Sequence, residues 1–261
     1  MTEVKAIVLR AAGINCDLET QYALEQAGAH AQRVHINRLI EDKTLLDGFQ
    51  ILVVPGGFSY GDDVAAGKIL ANQVIHHLED AVRRFIEQGK LVLGICNGFQ
   101  VLVKAGILPG LEGARRQELV TITDNDSAKY EDRWVVLEPH TDRCVFVEPG
   151  RRVTLPIAHG EGKVVTKDQQ TLESLRAQGC IAFKYVDQDG REGPYPINPN
   201  GSVDSIAGLT DATGRVLGLM PHPERFIHPT HHPLWTRLKG QIPCDGMIPF
   251  VRSVQYVRAN L

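Results

Sequence analysis

The chain is predicted to be an α/β protein, three-layered, with a mostly parallel central sheet and helices on both faces. Two observations carry this. The segments VKAIVL (4–9), ILVVP (51–55) and LVLGIC (91–96) are near-continuous apolar runs of the kind found in strands buried on both faces. Stretches of helical spacing separate them, and strands alternating with helices form parallel sheets. A third observation is a change of texture near residue 118, after which strands dominate and the sheet is expected to continue as antiparallel or mixed.

Each element has its own signal. VKAIVL opens the sheet, and a turn with Gly13 and Asn15 follows, with Asn15 or Asp17 capping a helix from about 17 to 27. AQRVHI (31–36) is the second strand and ILVVP the third. Val74, Ile75, Leu78, Val82, Phe85 and Ile86 recur at helical spacing, which predicts an amphipathic helix over 74–87 ended by Gly89. LVLGIC is the fourth strand. LVTITDN, RWVVLEPH, RVTLPIAH, IAFKYV, SIAGLT and VLGLMPH then read as strands, with one helix near 168–178 and a last one near 247–258. No low-complexity linker or internal repeat interrupts the chain. It is read as a single domain over 1–261, with a Pro- and His-rich C-terminal extension over 226–261.

Bulk composition excludes several classes. With 43% apolar residues among 261, the chain can bury a full core. A net charge of −3 with mixed signs gives no nucleic-acid surface, and no apolar run approaches the roughly 18 residues of a membrane span. MTEVKAIVLR starts as a strand, so no export signal is expected. The five cysteines are scattered, odd in number and without a CxxC pair, which argues against a disulfide framework or a thiolate zinc site. A reducing, cytoplasmic setting is expected.

Three segments carry chemistry. In LVLGICNGFQVL (91–102) a buried strand runs through Gly94-Ile95-Cys96-Asn97-Gly98 into a helix, a nucleophile elbow with cysteine in place of serine. The strained turn needs glycine at 94 and 98, and a helix N-terminus favours the thiolate. A buried structural cysteine is the bland alternative. Cys16, in GINCD, is a rival, but it lacks a following glycine and Asp17 would oppose a thiolate. A cysteine nucleophile needs a base and the base an orienting group. VLGLMPHPERF (216–226) offers both: in an extended chain His222 and Glu224 point the same way. The third segment, ILVVPGGFSYGDD (51–63), ends a buried strand on Gly56-Gly57. An oxyanion formed at Cys96 needs two backbone N–H groups; Asn97 supplies one, and Gly57 is the choice for the other.

GICNGFQ, PGGFSYGD and PHPER together resemble the class I (triad) glutamine amidotransferases, whose fold is flavodoxin-like. GINCD, GGFSYGDD, LPIAHGEGK (155–163) and NPNGSVDSIAGL (198–209) extend the likeness over residues 13–225, toward the glutaminases that serve formylglycinamidine ribonucleotide synthesis in de novo purine (IMP) biosynthesis. The resemblance implies that L-glutamine is hydrolysed through a glutamyl thioester on Cys96, with His222 as base then acid and Glu224 orienting it. It implies substrate contacts from Gln100 and from the His159-Gly160-Glu161 segment, the latter largely through backbone, and a loop facing the partner shaped by NPNGS. It implies a partner, the large formylglycinamidine ribonucleotide synthetase subunit, with or without a small bridging subunit. That partner uses ATP and Mg; no cofactor and no metal is expected on this chain, which has no GxxxxGK[ST] segment. DDVAAGK (62–68) and FIHPTHHPLWTRLKGQIPCDG (226–246) depart from the family pattern. Two other functions fit the residues: a free-standing cysteine hydrolase acting on peptides or gamma-glutamyl compounds, and a non-catalytic regulatory domain, against which an intact Cys-His-Glu set argues.

Overall fold

Strand β1 (Lys5–Arg10) pairs in parallel with β2 (His30–His35) on one side and β3 (Ile51–Val54) on the other; β3 pairs in parallel with β4 (Leu91–Ile95). This is a computed structural model, which describes residues 3–111, 118–238 and 242–261. Every residue of β3 and β4 is buried, as their unbroken apolar runs require. β11 (Val216–Leu219) joins β4 in parallel although it lies far along the chain. From there β10 (Ile206–Thr210), β9 (Ile181–Val186), β6 (Glu131–Pro139) and β7 (Val153–His159) continue the sheet antiparallel, giving the order β2-β1-β3-β4-β11-β10-β9-β6-β7.

One expectation needs correcting. LVTITDN does not continue this sheet. It forms β5 (Val120–Asp124), which pairs with β8 (Glu161–Thr166) in a separate antiparallel ribbon. β5 buries Val120 and Ile122 but not Thr121, the one-sided alternation of a ribbon laid on a core. β8 was invisible in the sequence because Gly162 and Lys163 break its apolar run.

Helix α1 (Asp17–Gln26) carries the chain from β1 outward to β2, whereas α3 (Lys68–Gln73), α4 (Glu79–Glu87) and α5 (Asn97–Lys104) serve strands on the other side of β1. Right-handed crossovers in opposite directions put the two sets on opposite faces, and α1 packs with α7 (Met247–Asn260). The predicted helix over 74–87 starts earlier, at Lys68, and passes through a π-helical stretch over Val74–Leu78 before α4; Gly89, at φ +84°, ends it. The short helix α2 (Ile36–Glu41) went unpredicted, being too brief for a period to show, and α6 (Gln169–Ala177) falls where expected. Among the described residues no helix is long and apolar enough to cross a membrane.

The carboxyl ends of β1, β3, β4 and β11 therefore lie side by side, the position at which open α/β sheets bind ligands.

Candidate active site

Cys96 stands between the end of β4 and the start of α5 at φ +50°, ψ −108°, a strained conformation for a non-glycine residue. Its N–H donates to the carbonyl of Leu219 on β11 at 2.8 Å, and its thiol reaches the Ala158 carbonyl at 3.8 Å. Both flanking glycines are sterically required. A Cβ on Gly94 would lie 2.8 Å from the Gly98 carbonyl oxygen, and one on Gly98 would overlap the Val54 carbonyl at the end of β3. Gly98→Ala is expected to destabilise the fold by about 3 kcal/mol or more, since only backbone could yield. The midpoint of urea unfolding measures it.

His222 follows β11, its N–H donating to Pro156 of β7 at 2.8 Å. Its Nδ1 lies 2.6 Å from Glu224 Oε1, and both side chains are buried. The contact was expected from an extended chain, but the geometry differs. Pro223–Arg225 is a 3₁₀ turn with proline at its first position, and proline's fixed φ starts such a turn well. The turn, not strand alternation, brings the carboxylate onto the ring. Burial opposes a charged imidazole here. Burial is the largest single effect, but the Glu224 carboxylate and the Cys96 and Cys16 sulfurs together outweigh it and hold His222 well above the ordinary histidine range. Glu224 thus favours the charged imidazole, with Nδ1–H donating to its carboxylate.

The diglycine loop packs against this pair and against the loop after β1. A Cβ on Gly56 would come within 2.8 Å of His222 Cε1, and one on Gly57, at φ +143°, within 2.8 Å of the Asn15 nitrogen. Phe58 N–H donates to Gly13 and Tyr60 N–H to Ala12. Tyr60, Gly61 and Asp62 then follow in the left-handed region. The Asn97 side chain fastens this segment: its Oδ1 accepts from Ser59 N–H at 3.2 Å, and its Nδ2 donates to Asp62 Oδ1 at 3.1 Å and to Gln100 Oε1 at 3.0 Å. Sequence reasoning assigned Asn97 only a backbone part. Gln100 in turn donates to the Glu161 carbonyl at 2.6 Å while lining the cavity.

Cys96, His222, Gly57, Gln100, His159 and Gly160 all line one cavity of about 370 Å³; Asn97 and Glu224 stand behind it. The first turn of α1 supplies an unexpected wall. Neither Asn15 nor Asp17 caps that helix: Cys16 is the N-cap and makes no side-chain capping bond. The Asp17 carboxylate is drawn instead to Arg10 at 2.9 Å and Arg33 at 3.2 Å. Cys16 is buried on the cavity wall, with Arg225 Nη2 donating to its sulfur at 3.1 Å.

The far wall is the β7–β8 turn. His159 Nδ1 donates to Asn125 Oδ1 at 3.1 Å, Gly162 N–H donates to the same oxygen, and Asn125 Nδ2 donates back to the His159 carbonyl at 2.9 Å. NPNGS stands directly behind this turn. Asn200 donates to the Gly162 carbonyl at 2.8 Å and Ser202 Oγ accepts from Val164 N–H at 3.0 Å, both side chains being buried. The motif thus braces the cavity wall through Asn200 and Ser202, while Asn198, Pro199 and Gly201 line a groove on the outer side.

Burial, and then the His222 charge, push the His159 imidazole down to about 3. An unfolded chain takes up this proton near pH 6.5 while the folded one refuses it. The stability involved is present above pH 6.5 and is lost as pH falls toward 3, by about 5 kcal/mol in full. His159→Gln should flatten the fall of the urea midpoint between pH 7 and pH 4.5 relative to the unchanged chain.

The Pro- and His-rich segment is partly described; residues 239–241 lie outside the described residues. His228 meets Tyr22 at 3.3 Å, His232 packs on Trp134, and Leu234, Trp235 and Leu238 are exposed.

Residues 3–257 match the family model of the CobB/CobQ-like glutamine amidotransferase domain. The chain is 44% identical over 260 residues to phosphoribosylformylglycinamidine synthase subunit PurQ of Dehalococcoides mccartyi, covering 99% of each chain. It is 42% identical to the PurQ subunit of Methanococcus maripaludis strain S2, covering 91% of this chain and 88% of that one. Among solved structures, PurLQS from Thermotoga maritima superposes with a TM-score of 0.74 at 30% identity, covering 98% of this chain and 100% of the matched one. A Thermotoga maritima glutamine amidotransferase superposes with a TM-score of 0.58 at 14% identity, over 100% of both chains, a likeness of fold alone.

Proposed function

Because this chain belongs to the CobB/CobQ-like glutamine amidotransferase family, we propose that Cys96, His222 and Glu224 are the triad through which it hydrolyses L-glutamine. The chain is the glutaminase component of phosphoribosylformylglycinamidine synthase, in purine biosynthesis, and works with a synthetase subunit. The observation that most supports the triad is the convergence of three neighbouring strand ends, with the buried 2.6 Å contact of His222 with Glu224 at one of them.

Cys96 passes its thiol proton to His222 and attacks the side-chain amide carbon of glutamine, and the oxyanion is taken by the N–H groups of Gly57 and Asn97. His222 gives that proton to the amide nitrogen, and ammonia leaves. The glutamyl thioester remains. His222 then accepts a proton from water as it attacks, and glutamate is released. Glu224 holds the ring in place and favours its charged form throughout. Gln100 positions the Glu161 carbonyl, and His159 and Gly160 form the wall against which glutamine lies. Ammonia passes to the synthetase, which uses ATP and Mg to convert formylglycinamide ribonucleotide to formylglycinamidine ribonucleotide. A small bridging subunit fits the same assembly. The setting is the cytoplasm, where a thiol nucleophile stays reduced.

Control resides in the Gly57 peptide. It sits on a segment with three successive left-handed residues, and one local rotation turns its N–H from the site. Docking of the synthetase favours the aligned loop by binding it more tightly. The isolated chain is therefore expected to hydrolyse glutamine poorly, and the same chain with its synthetase and nucleotides much faster. Steady-state glutamate release with and without the partner tests this. An isolated chain as fast as the complex would reject the control and favour a free-standing hydrolase.

A further inference from the structure

We propose that the triad site is also a binding site for a soft divalent cation of the zinc class, held by Cys16, His222 and Glu224, and that occupancy switches the glutaminase off. The consequence for activity rests on the triad reading above; the site itself does not. A sulfur of Cys16, a ring nitrogen of His222 and a carboxylate oxygen of Glu224 all lie within 4.8 Å of one another, and all three residues are buried. Thiolate, imidazole and carboxylate are the donors zinc takes, at bonds of about 2.0–2.3 Å, so side-chain shifts of a rotamer's tilt close the set around an ion.

Two of the polar atoms here have no aligned partner among the described residues: His222 Nε2 and Glu224 Oε2, on side chains 2% and 1% exposed. A buried polar atom without a partner is costly, and an ion would satisfy the Glu224 oxygen; Nε2 lies on the edge of the ring turned away from Glu224. The catalytic reading uses Cys16 for nothing, yet its sulfur shares the cavity wall with His222, so an ion has a path to it. Gly56 keeps the space between sulfur and ring clear. A Cβ there would stand 3.2 Å from the Cys16 sulfur and 2.8 Å from His222 Cε1. Charge also balances. The ion displaces to solvent the Cys16 proton and the His222 proton at Nδ1, and the resulting thiolate and the Glu224 carboxylate offset its two charges. Arg225, 3.1 Å from the sulfur, already has Glu19 at 3.0 Å to oppose its own charge.

An ion here takes Nδ1, the nitrogen that contacts Glu224, and so removes both the orienting contact and the charged form of the ring; metal binding and turnover exclude each other. Magnesium, the ion of the synthetase reaction, prefers oxygen ligands in an octahedron and is not held by this set.

Cobalt(II) is the probe, added to the metal-free full chain. It should bind once, with the charge-transfer absorption of a cobalt–thiolate bond. The band should persist in Cys96→Ala and vanish in Cys16→Ser, and zinc should displace it. In the assembled complex, inhibition of glutamine hydrolysis by zinc should need about 100-fold more metal in Cys16→Ser, each protein referred to its own uninhibited rate, and magnesium should not inhibit. No band in the unchanged chain, or one that survives Cys16→Ser and is lost in Cys96→Ala, would overturn the site. If Cys16→Ser fails to fold, the Cys96→Ala spectrum decides alone: a retained cobalt–thiolate band supports Cys16, and its loss overturns it. A chain that binds cobalt through Cys16 but hydrolyses no glutamine would keep the site and remove the glutaminase reading.

Discussion

Cys96→Ala is expected to lower glutamine-dependent synthesis by the complex at least about 10⁴-fold while leaving synthesis from added ammonia intact. The size follows from the chemistry. Without the sulfur no thioester forms, and the remaining N–H groups can only polarise an amide that water attacks slowly. The ammonia-dependent rate separates this loss from misfolding, because it requires a correctly docked subunit but no thiol. A glutamine-like diazoketone should label the unchanged chain once, at Cys96. Label on Cys16, or on the Cys96→Ala protein, would move the nucleophile elsewhere.

His222→Ala should cost nearly as much, about 10⁴-fold, since the leaving nitrogen then departs without a proton. Glu224→Gln should cost less, about 10²–10³-fold, because the imidazole survives but loses the charge that favours its protonated form. The pH profile carries the distinguishing sign. Glu224 raises His222 against the effect of burial. Removing that carboxylate lets the imidazolium lose its proton at lower pH, so the alkaline limb of glutamine hydrolysis should move to lower pH. Unchanged turnover together with an unchanged profile would take Glu224 out of the machinery.

These two predictions depend on residues that the sequence already singled out, and the reason is that their requirements are local. A strained turn between a buried strand and a helix needs glycine at 94 and 98 whatever the rest of the chain does, so GICNG identifies itself. A histidine and a carboxylate two residues apart meet in a strand or in a turn. The pair was legible even though the extended geometry assumed for it was not the real one. Apolar runs such as ILVV and LVLGI declare themselves as buried strands because burial on both faces leaves no alternation.

Other features depend on which distant segments meet, and the tertiary structure alone decided them. Strand order set β11 beside β4 and so brought His222 to Cys96. It also sent β5 and β8 into their own ribbon, which a one-sided alternation permits but does not specify. Asn97, Asn125, Asn200 and Ser202 look in sequence like ordinary turn residues. Their side chains became the struts of the cavity only because the backbone groups they bond belong to other loops. Gln100, expected to reach for substrate, lines the cavity and also holds the Glu161 carbonyl. Cys16 was expected near a helix cap and was found there and against the His222 imidazole. A sequence by itself determines what each residue can donate, accept or strain. Which partner takes up that capacity is a contact between segments far apart in the chain, and folding chooses it by burying the whole sheet at once.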